Sequence, residues 1–277
     1  MSASEKLDTS NRNVANRNEA NKNAAVKNVT VKKAAAQNVA EENKPVADTP
    51  VEYMRTIRSY VIRGGRLTPS QQHALENYWE KYGISDVSAP FNAEQVFGRT
   101  APLVFEIGFG MGDSLLAMAR DNPEQDFIGV EVHKPGVGKL LDDIEKNQIS
   151  NLRIYCHDAK EILRDCFSEH SLDVIQIFFP DPWHKKRHHK RRLVQTEFVE
   201  QLRTRLKPGG LLHMATDWEP YAQHMMLTLS ETPGFLNQAG VQQHSDSSRR
   251  QSTKFEKRGQ RLGHGVWDLI FVKSGQR

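Results

Sequence analysis

Leu103-Val104-Phe105-Glu106-Ile107-Gly108-Phe109-Gly110-Met111-Gly112-Asp113 is the stretch on which the fold turns. Its first five residues, mostly branched or aromatic, read as a strand buried on both faces. Three glycines spaced G-x-G-x-G read as a tight turn, and Asp113 opens a helix over 113–120. The same alternation repeats outward from there. Strands are expected at 127–131, 152–156, 172–179, 211–216 and 266–272, and helices at 135–146, 159–164, 196–206 and 219–230. Lys207-Pro208-Gly209-Gly210 is expected to stop the third of these helices. Strands and helices joined by right-handed crossovers give an α/β fold, a doubly wound and mostly parallel sheet. Ligands of such sheets lie beyond the carboxyl ends of the strands, so the residues that follow each strand are the candidates.

After the first strand come Glu106 and the glycines Gly108, Gly110 and Gly112. The dinucleotide fingerprint G-x-G-x-x-G would need glycine where Asp113 stands, and a pyrophosphate at that helix start would face its charge. Both points favour a ligand without a phosphate bridge. Glu106 closes a buried strand, where a carboxylate is costly without a partner. After the second strand comes Glu131, placed about 20 residues past the glycines, as suits a ribose diol. After the third comes Asp158, placed to accept from an exocyclic amine of adenine. Each acid alone is more often a helix cap. Three in register at successive strand ends point to one ligand.

The net charge of +4 hides a strong asymmetry. Residues 184–192, HKKRHHKRR, hold six Lys/Arg and no acid, and residues 249–261 hold six more with one acid. Without both stretches 26 Lys+Arg face 33 Asp+Glu, a balance of −7. An acidic body with two concentrated basic patches suits a polyanionic partner. Hydrophobic residues are 38% of the chain, below the usual ~45–50%, so part of it is expected to lie outside a core. That part is residues 1–50, which contain no aromatic, no glycine and a single leucine, Leu7; they read as a disordered low-complexity tail. Residues 51–100, with a helix from Thr68 or Ser70 through Tyr82, read as an extension packed on the 101–277 domain. The two cysteines, Cys156 and Cys166, read as buried thiols in a reducing cytoplasm. No apolar run reaches membrane-spanning length, no set of side chains has metal-ligand spacing, and His133, His157 and His213 read as structural.

The glycine loop with its later acids resembles the class I S-adenosylmethionine-dependent methyltransferases, whose loop and acids hold the methionine, ribose and adenine parts of that cofactor. The resemblance implies a Rossmann-like, seven-stranded sheet with a reversed last strand at 266–272. Three further motifs stand in order: Pro180-Asp181-Pro182-Trp183-His184-Lys185-Lys186-Arg187 after strand four, Thr216-Asp217-Trp218 after strand five, and Thr253-Lys254-Phe255-Glu256 before the last strand. With Ile57-Arg58-Ser59-Tyr60 and Gly65-Arg66-Leu67-Thr68 near the start, they resemble the bacterial tRNA (guanine-N7)-methyltransferases over about residues 53–273. One departure is Gln251, where that family often has Pro.

The resemblance implies methyl transfer to N7 of guanine 46 in the tRNA variable loop, with Asp181 at the catalytic site and Asp217 on the substrate. N7 carries a lone pair and no proton, so no general base is needed. Asp181, stiffened between two prolines, is placed to offset the cationic charge that develops on the base, and it also counts among the cofactor contacts. Lys185 and the run Arg187, His188, His189, Lys190, Arg191 and Arg192 are expected to grip phosphates. Thr253, Lys254, Phe255 and Glu256 are expected to form a second wall, with Glu256 accepting from the guanine edge. Trp183 either stacks on a base or walls the pocket. The competing reading is a same-fold methyltransferase acting on another RNA site or a different substrate. The basic run, and the absence of an N/D-P-P-Y/F signature after strand four, separate the two. Oligomeric state is left open.

Overall fold

The computed structural model describes residues 57–62, 64–246, 250, 256 and 265–275. The tail at 1–50, and Gln251, lie outside the described residues. The elements in order are α1 (Pro69–Asn77), α2 (Trp79–Tyr82), α3 (Ala93–Phe97), β1 (Leu103–Ile107), α4 (Asp113–Asp121), β2 (Asp126–Val130), α5 (Lys134–Lys146), β3 (Leu152–Tyr155), α6 (Ala159–Asp165) and β4 (Leu172–Phe178). A 3-10 helix (Lys186–Arg191) precedes α7 (Thr196–Arg205), β5 (Leu206–Thr216), α8 (Glu219–Glu231), β6 (Phe235–Asn237) and β7 (Trp267–Lys273).

The seven strands lie in the order β3-β2-β1-β4-β5-β7-β6. The β1–β2, β2–β3, β1–β4 and β4–β5 ladders are parallel, while β7 runs antiparallel to both β5 and β6. The chain therefore builds outward from β1 to β3, then returns to the other side of β1 with β4. A crevice opens where that direction reverses, at the carboxyl ends of β1 and β4.

All five β1 residues are buried, as a central parallel strand requires. Their alternation divides them between two cores: Phe105 and Ile107 pack with Ile162, Val199, Tyr221 and Met225, and Val104 packs with Leu115, Leu140 and Ile144 on the opposite side. Leu115, Met118 and Ala119 of α4 and Val137, Leu140, Leu141 and Ile144 of α5 recur at helical spacing, giving one buried stripe each. Burying a leucine such as Leu140 contributes about 1.5–3 kcal/mol.

Two expectations are corrected. Residues 207–210 do not lie outside a strand but inside β5, which begins at Leu206. The ladder jumps from Leu172↔Leu206 to Val174↔Leu211, so these residues are extruded as a bulge, with Gly209 at φ +80° and Lys207 paired to Asp173 at 2.7 Å. The helix expected through Tyr82 breaks at Tyr78 into α1 and α2. Thr68 caps α1 in a capping box with Gln71, as its sequence position suggested. Beyond the break, Trp79 donates to Ser85 Oγ at 2.8 Å, and Gly83 pairs with Ile154 of β3. Ser70 donates to Asp142 and Lys81 pairs with Glu145, both on α5.

Candidate active site

The glycine loop closes onto the start of α5. Gly108, Gly110 and Gly112 all have positive φ, of +75°, +61° and +80°. A Cβ on Gly136 would stand 1.9 Å from the Gly110 carbonyl oxygen, so helix and loop touch backbone to backbone. At Gly108 a Cβ would meet nothing within 4 Å, and the backbone there faces open space. A cleft of about 210 Å³ lies over these strand ends, lined by residues that include Gly108, Glu131, Asp158 and Asp181. A second hollow of about 360 Å³ shares Tyr60, Val132, His157 and Asp158 with it.

Glu106 precedes Ile107 and Gly108 of the lining and is itself 3% exposed. Its Oε2 has no hydrogen-bond partner. Burial, and then the nearby Glu131 carboxylate, push its pKa up to about 8. A buried acid left with an idle acceptor, in a neutral form at pH 7, is poised for a cationic partner.

Glu131 is held by the backbone. Its Oε2 accepts from Gly110 N–H at 2.9 Å, and its Oε1 accepts from Val132 and His133 N–H at 2.7 and 2.9 Å. A carboxylate offers about four acceptor positions. Three are spent, one on the glycine loop and two on the turn after β2, so one remains on Oε2 for a ligand hydroxyl. Asp158 caps α6 by accepting from Lys160 N–H at 2.9 Å, and its carboxylate also faces the Tyr60 hydroxyl. Tyr60 was not foreseen as a site residue. Burial, then Asp158, raise its pKa.

Asp181 is exposed and lines the cleft between Pro180 and Pro182. On either side of it Phe179 and Trp183 have φ of +52° and +46°, a left-handed conformation that non-glycine residues hold only under constraint. Trp183 is committed to fastening the segment before α1. Its Nε1 donates to the Ser59 carbonyl at 3.1 Å, and the Arg191 guanidinium lies 3.9 Å from its ring centroid. Arg191 in turn donates to the Arg58 and Tyr60 carbonyls.

The basic run is not one row of equal groups. Lys185, Arg187 and Lys190 are exposed, as is Lys186, while His188, His189 and Arg191 are half-buried. Arg192 is corrected from a phosphate contact to a buried support. It is 3% exposed, donates to the Pro182 carbonyl at 3.0 Å and lies 4.8 Å from the Tyr221 ring centroid. Partial burial, then Arg187 and Arg191, lower the His188 pKa, so that ring adds little charge at neutral pH.

Asp217 follows β5, half-buried, and does not line the cleft. Thr253, Lys254 and Phe255 lie outside the described residues. Glu256 is corrected from an open guanine acceptor to a buried ion-pair partner: it is 3% exposed and accepts from Arg250 at 2.5 Å. His213 Nε2 donates to Asp268 Oδ1 at 2.8 Å, a structural placement. His133 stands at the N-cap position of α5 without a side-chain capping bond, and His157 lines the cleft. Cys156 is half-buried and Cys166 buried, both as free thiols raised in pKa by burial. Among the described residues no helix is long and apolar enough to cross a membrane, and no group of three or more His, Cys, Asp or Glu could hold a metal ion.

A family model described as "Putative methyltransferase" matches residues 100–269. The chain is 55% identical over 221 residues to a tRNA (guanine-N(7)-)-methyltransferase of Saccharophagus degradans, covering 79% of this chain and 96% of the relative. Enzymes of the same name from Pseudoalteromonas atlantica and Yersinia pestis are 54% and 56% identical, covering 93% and 92% of their lengths and 80% and 79% of this chain. Among solved structures, the 16S rRNA methyltransferase KamB superposes with a TM-score of 0.50 at 15% identity, over 66% of this chain and 92% of that one, a likeness of fold.

Proposed function

Since the chain belongs to the tRNA (guanine-N7)-methyltransferase family, we propose that it methylates guanine 46 in the variable loop of cytoplasmic tRNA, with Asp181 beside the reacting base. The observation that carries the reading is one cleft at the sheet's reversal point into which Gly108, Glu131, Asp158 and Asp181 all converge.

The residues present fit S-adenosylmethionine. Glu106 Oε2 is an idle buried acceptor for an ammonium, and Gly108 leaves its backbone open to a ligand. Glu131 Oε2 keeps one site for a ribose hydroxyl, and Asp158 with Val132 borders the hollow suited to adenine. When bound, the cofactor supplies a methyl group on a positively charged sulfur. Asp181 then has two tasks: to accept from the N1–H and N2 amine of guanine, and to offset the charge the ring acquires. No side chain has to remove a proton, because N7 bears none, so positioning carries the chemistry. Lys185, Lys186, Arg187 and Lys190, exposed next to Asp181, would meet the RNA backbone. Asp217 would hold a more distant part of the substrate.

The test uses two tRNA transcripts, one with guanine and one with adenine at position 46. Labelled methyl should enter the first and not the second. Equal labelling of both would refute position 46.

A further inference from the structure

Four buried polar side chains outside the cleft form one connected cluster. Arg250 donates to Asp268 through Nε at 2.7 Å and Nη2 at 3.0 Å, and through Nη1 to Glu256 at 2.5 Å. His213 meets the same Asp268 Oδ1 at 2.8 Å. The side chains of Arg250 and Asp268 are fully buried. Burial by itself would raise the Asp268 pKa, yet its hydrogen bonds to His213 and Arg250 hold it below the usual carboxylate range. Asp268 sits on β7 opposite Ala215, and His213 lies two residues along β5, opposite Ile270, so the two meet as a diagonal pair across the antiparallel ladder and the guanidinium is locked to the sheet itself.

The guanidinium carbon also stands over two aromatic rings. It lies 5.2 Å from the Phe179 ring centroid and 5.6 Å from that of Phe178. Phe178 also packs edge-on to His213 at 5.0 Å. Phe179 is the residue held at φ +52°, with its N–H donated to the Ala215 carbonyl at 2.8 Å. It directly precedes Pro180-Asp181. A bulky residue stays in the left-handed region only where its surroundings over-determine it, and here a rigid, doubly anchored cation meets its ring.

We propose that Arg250 is a positioning residue that, clamped by Asp268 and Glu256, holds Phe179 in its left-handed turn and so aims Asp181 into the cleft. The proposal rests on the reading of Asp181 as the base-contacting acid. It also gives Glu256 a task away from the substrate: it orients the guanidinium from the sequence side of Thr253-Lys254-Phe255. Any shift of Arg250 or Glu256 would therefore be felt at Asp181.

The experiment compares wild type, Arg250→Met, Phe179→Leu and the double variant. It reads single-turnover methyl transfer to tRNA at saturating enzyme, the S-adenosylmethionine Kd by calorimetry, and Tm. Arg250→Met should slow transfer at least tenfold, while Kd for the cofactor stays within threefold. The double variant should be no more than twofold slower than the slower single variant, because both changes break one coupling. Arg250→Lys, which keeps the charge without the planar fork, should fall between. A folded Arg250→Met within twofold of wild type, or single effects that multiply in the double variant, would overturn the proposal. So would a loss matched by an equal loss of cofactor binding, which is what general loosening gives. If Arg250→Met does not fold, Phe179→Leu decides alone: its cluster is intact, and a wild-type rate refutes the coupling. A wild type that methylates no guanine would instead overturn the tRNA reading, and this one with it.

Discussion

Binding of S-adenosylmethionine should release close to one proton at pH 7, and Glu106→Gln should abolish that release. Glu106 is 3% exposed, and its pKa in the free protein is pushed up to about 8. At pH 7 about nine-tenths of the molecules therefore carry a neutral Glu106. An ammonium pairs with the carboxylate and not with the acid, so the proton must leave as the ligand enters. Holding the group ionised at pH 7 costs about 1 kcal/mol, roughly the value of one pKa unit. Below pH 8 the cost grows with each unit, and the Kd should weaken about 30-fold between pH 7 and pH 5.5. The assay is calorimetry at pH 7 in two buffers of different ionisation enthalpy, whose difference counts protons. Wild type should release about 0.9 proton and Glu106→Gln none. Release near zero in the wild type, or equal release in both proteins, would refute the pairing. The same shift acts on folding. Glu106 has a folded pKa above its unfolded one, so its contribution is fully present below about pH 4.5 and is lost as pH rises through about 8. Free wild type should lose about 3 kcal/mol relative to Glu106→Gln between pH 5 and pH 7.5 in denaturant titrations.

Four other outcomes are expected. Asp181→Ala should lose turnover by about 100-fold or more, an electrostatic contact's usual worth, while cofactor binding by calorimetry stays near wild type; normal turnover would reject its role. Replacing Lys186, Arg187 and Lys190 together by Ala should weaken tRNA binding and lower the salt slope by about one per lost phosphate contact. Arg192→Ala should instead leave that slope unchanged and cost about 1–3 kcal/mol in unfolding, since it strips the Pro182 carbonyl of its buried donor. Gly136→Ala would drive a Cβ into the Gly110 carbonyl, so it should cost about 1–3 kcal/mol and weaken cofactor binding measurably; an unchanged Kd would show that α5 and the loop move independently.

The strands were legible because burial on both faces leaves few choices: LVFEI at Leu103–Ile107 admits little but a central strand. Its flanking glycines were legible for the same kind of reason, since three positive-φ positions in five residues need that spacing. Less visible was anything decided by a distant partner. Lys207-Pro208-Gly209-Gly210 has the local chemistry of a helix stop, yet pairing with β4 draws it into β5 as a bulge. Arg192 and Glu256 look like surface charge in sequence; only the Pro182 carbonyl and Arg250 reveal why they point inward. Tyr60 and Arg250 carried no spacing signal, because each reaches its site across many tens of residues or a strand pairing. The acids also show how two readings can hold at once. Asp158 is a helix cap and a cleft residue, and Glu131 ties the glycine loop with one bond and the turn after β2 with two while leaving one acceptor position.

The most direct measurement is to incubate the full chain with S-adenosylmethionine and unmodified tRNA, then cleave with borohydride and aniline. That chemistry cuts the chain at 7-methylguanine. The account predicts a single cut, at guanine 46, that disappears with Asp181→Ala. No cut, or a cut that persists at wild-type yield in that variant, would contradict it.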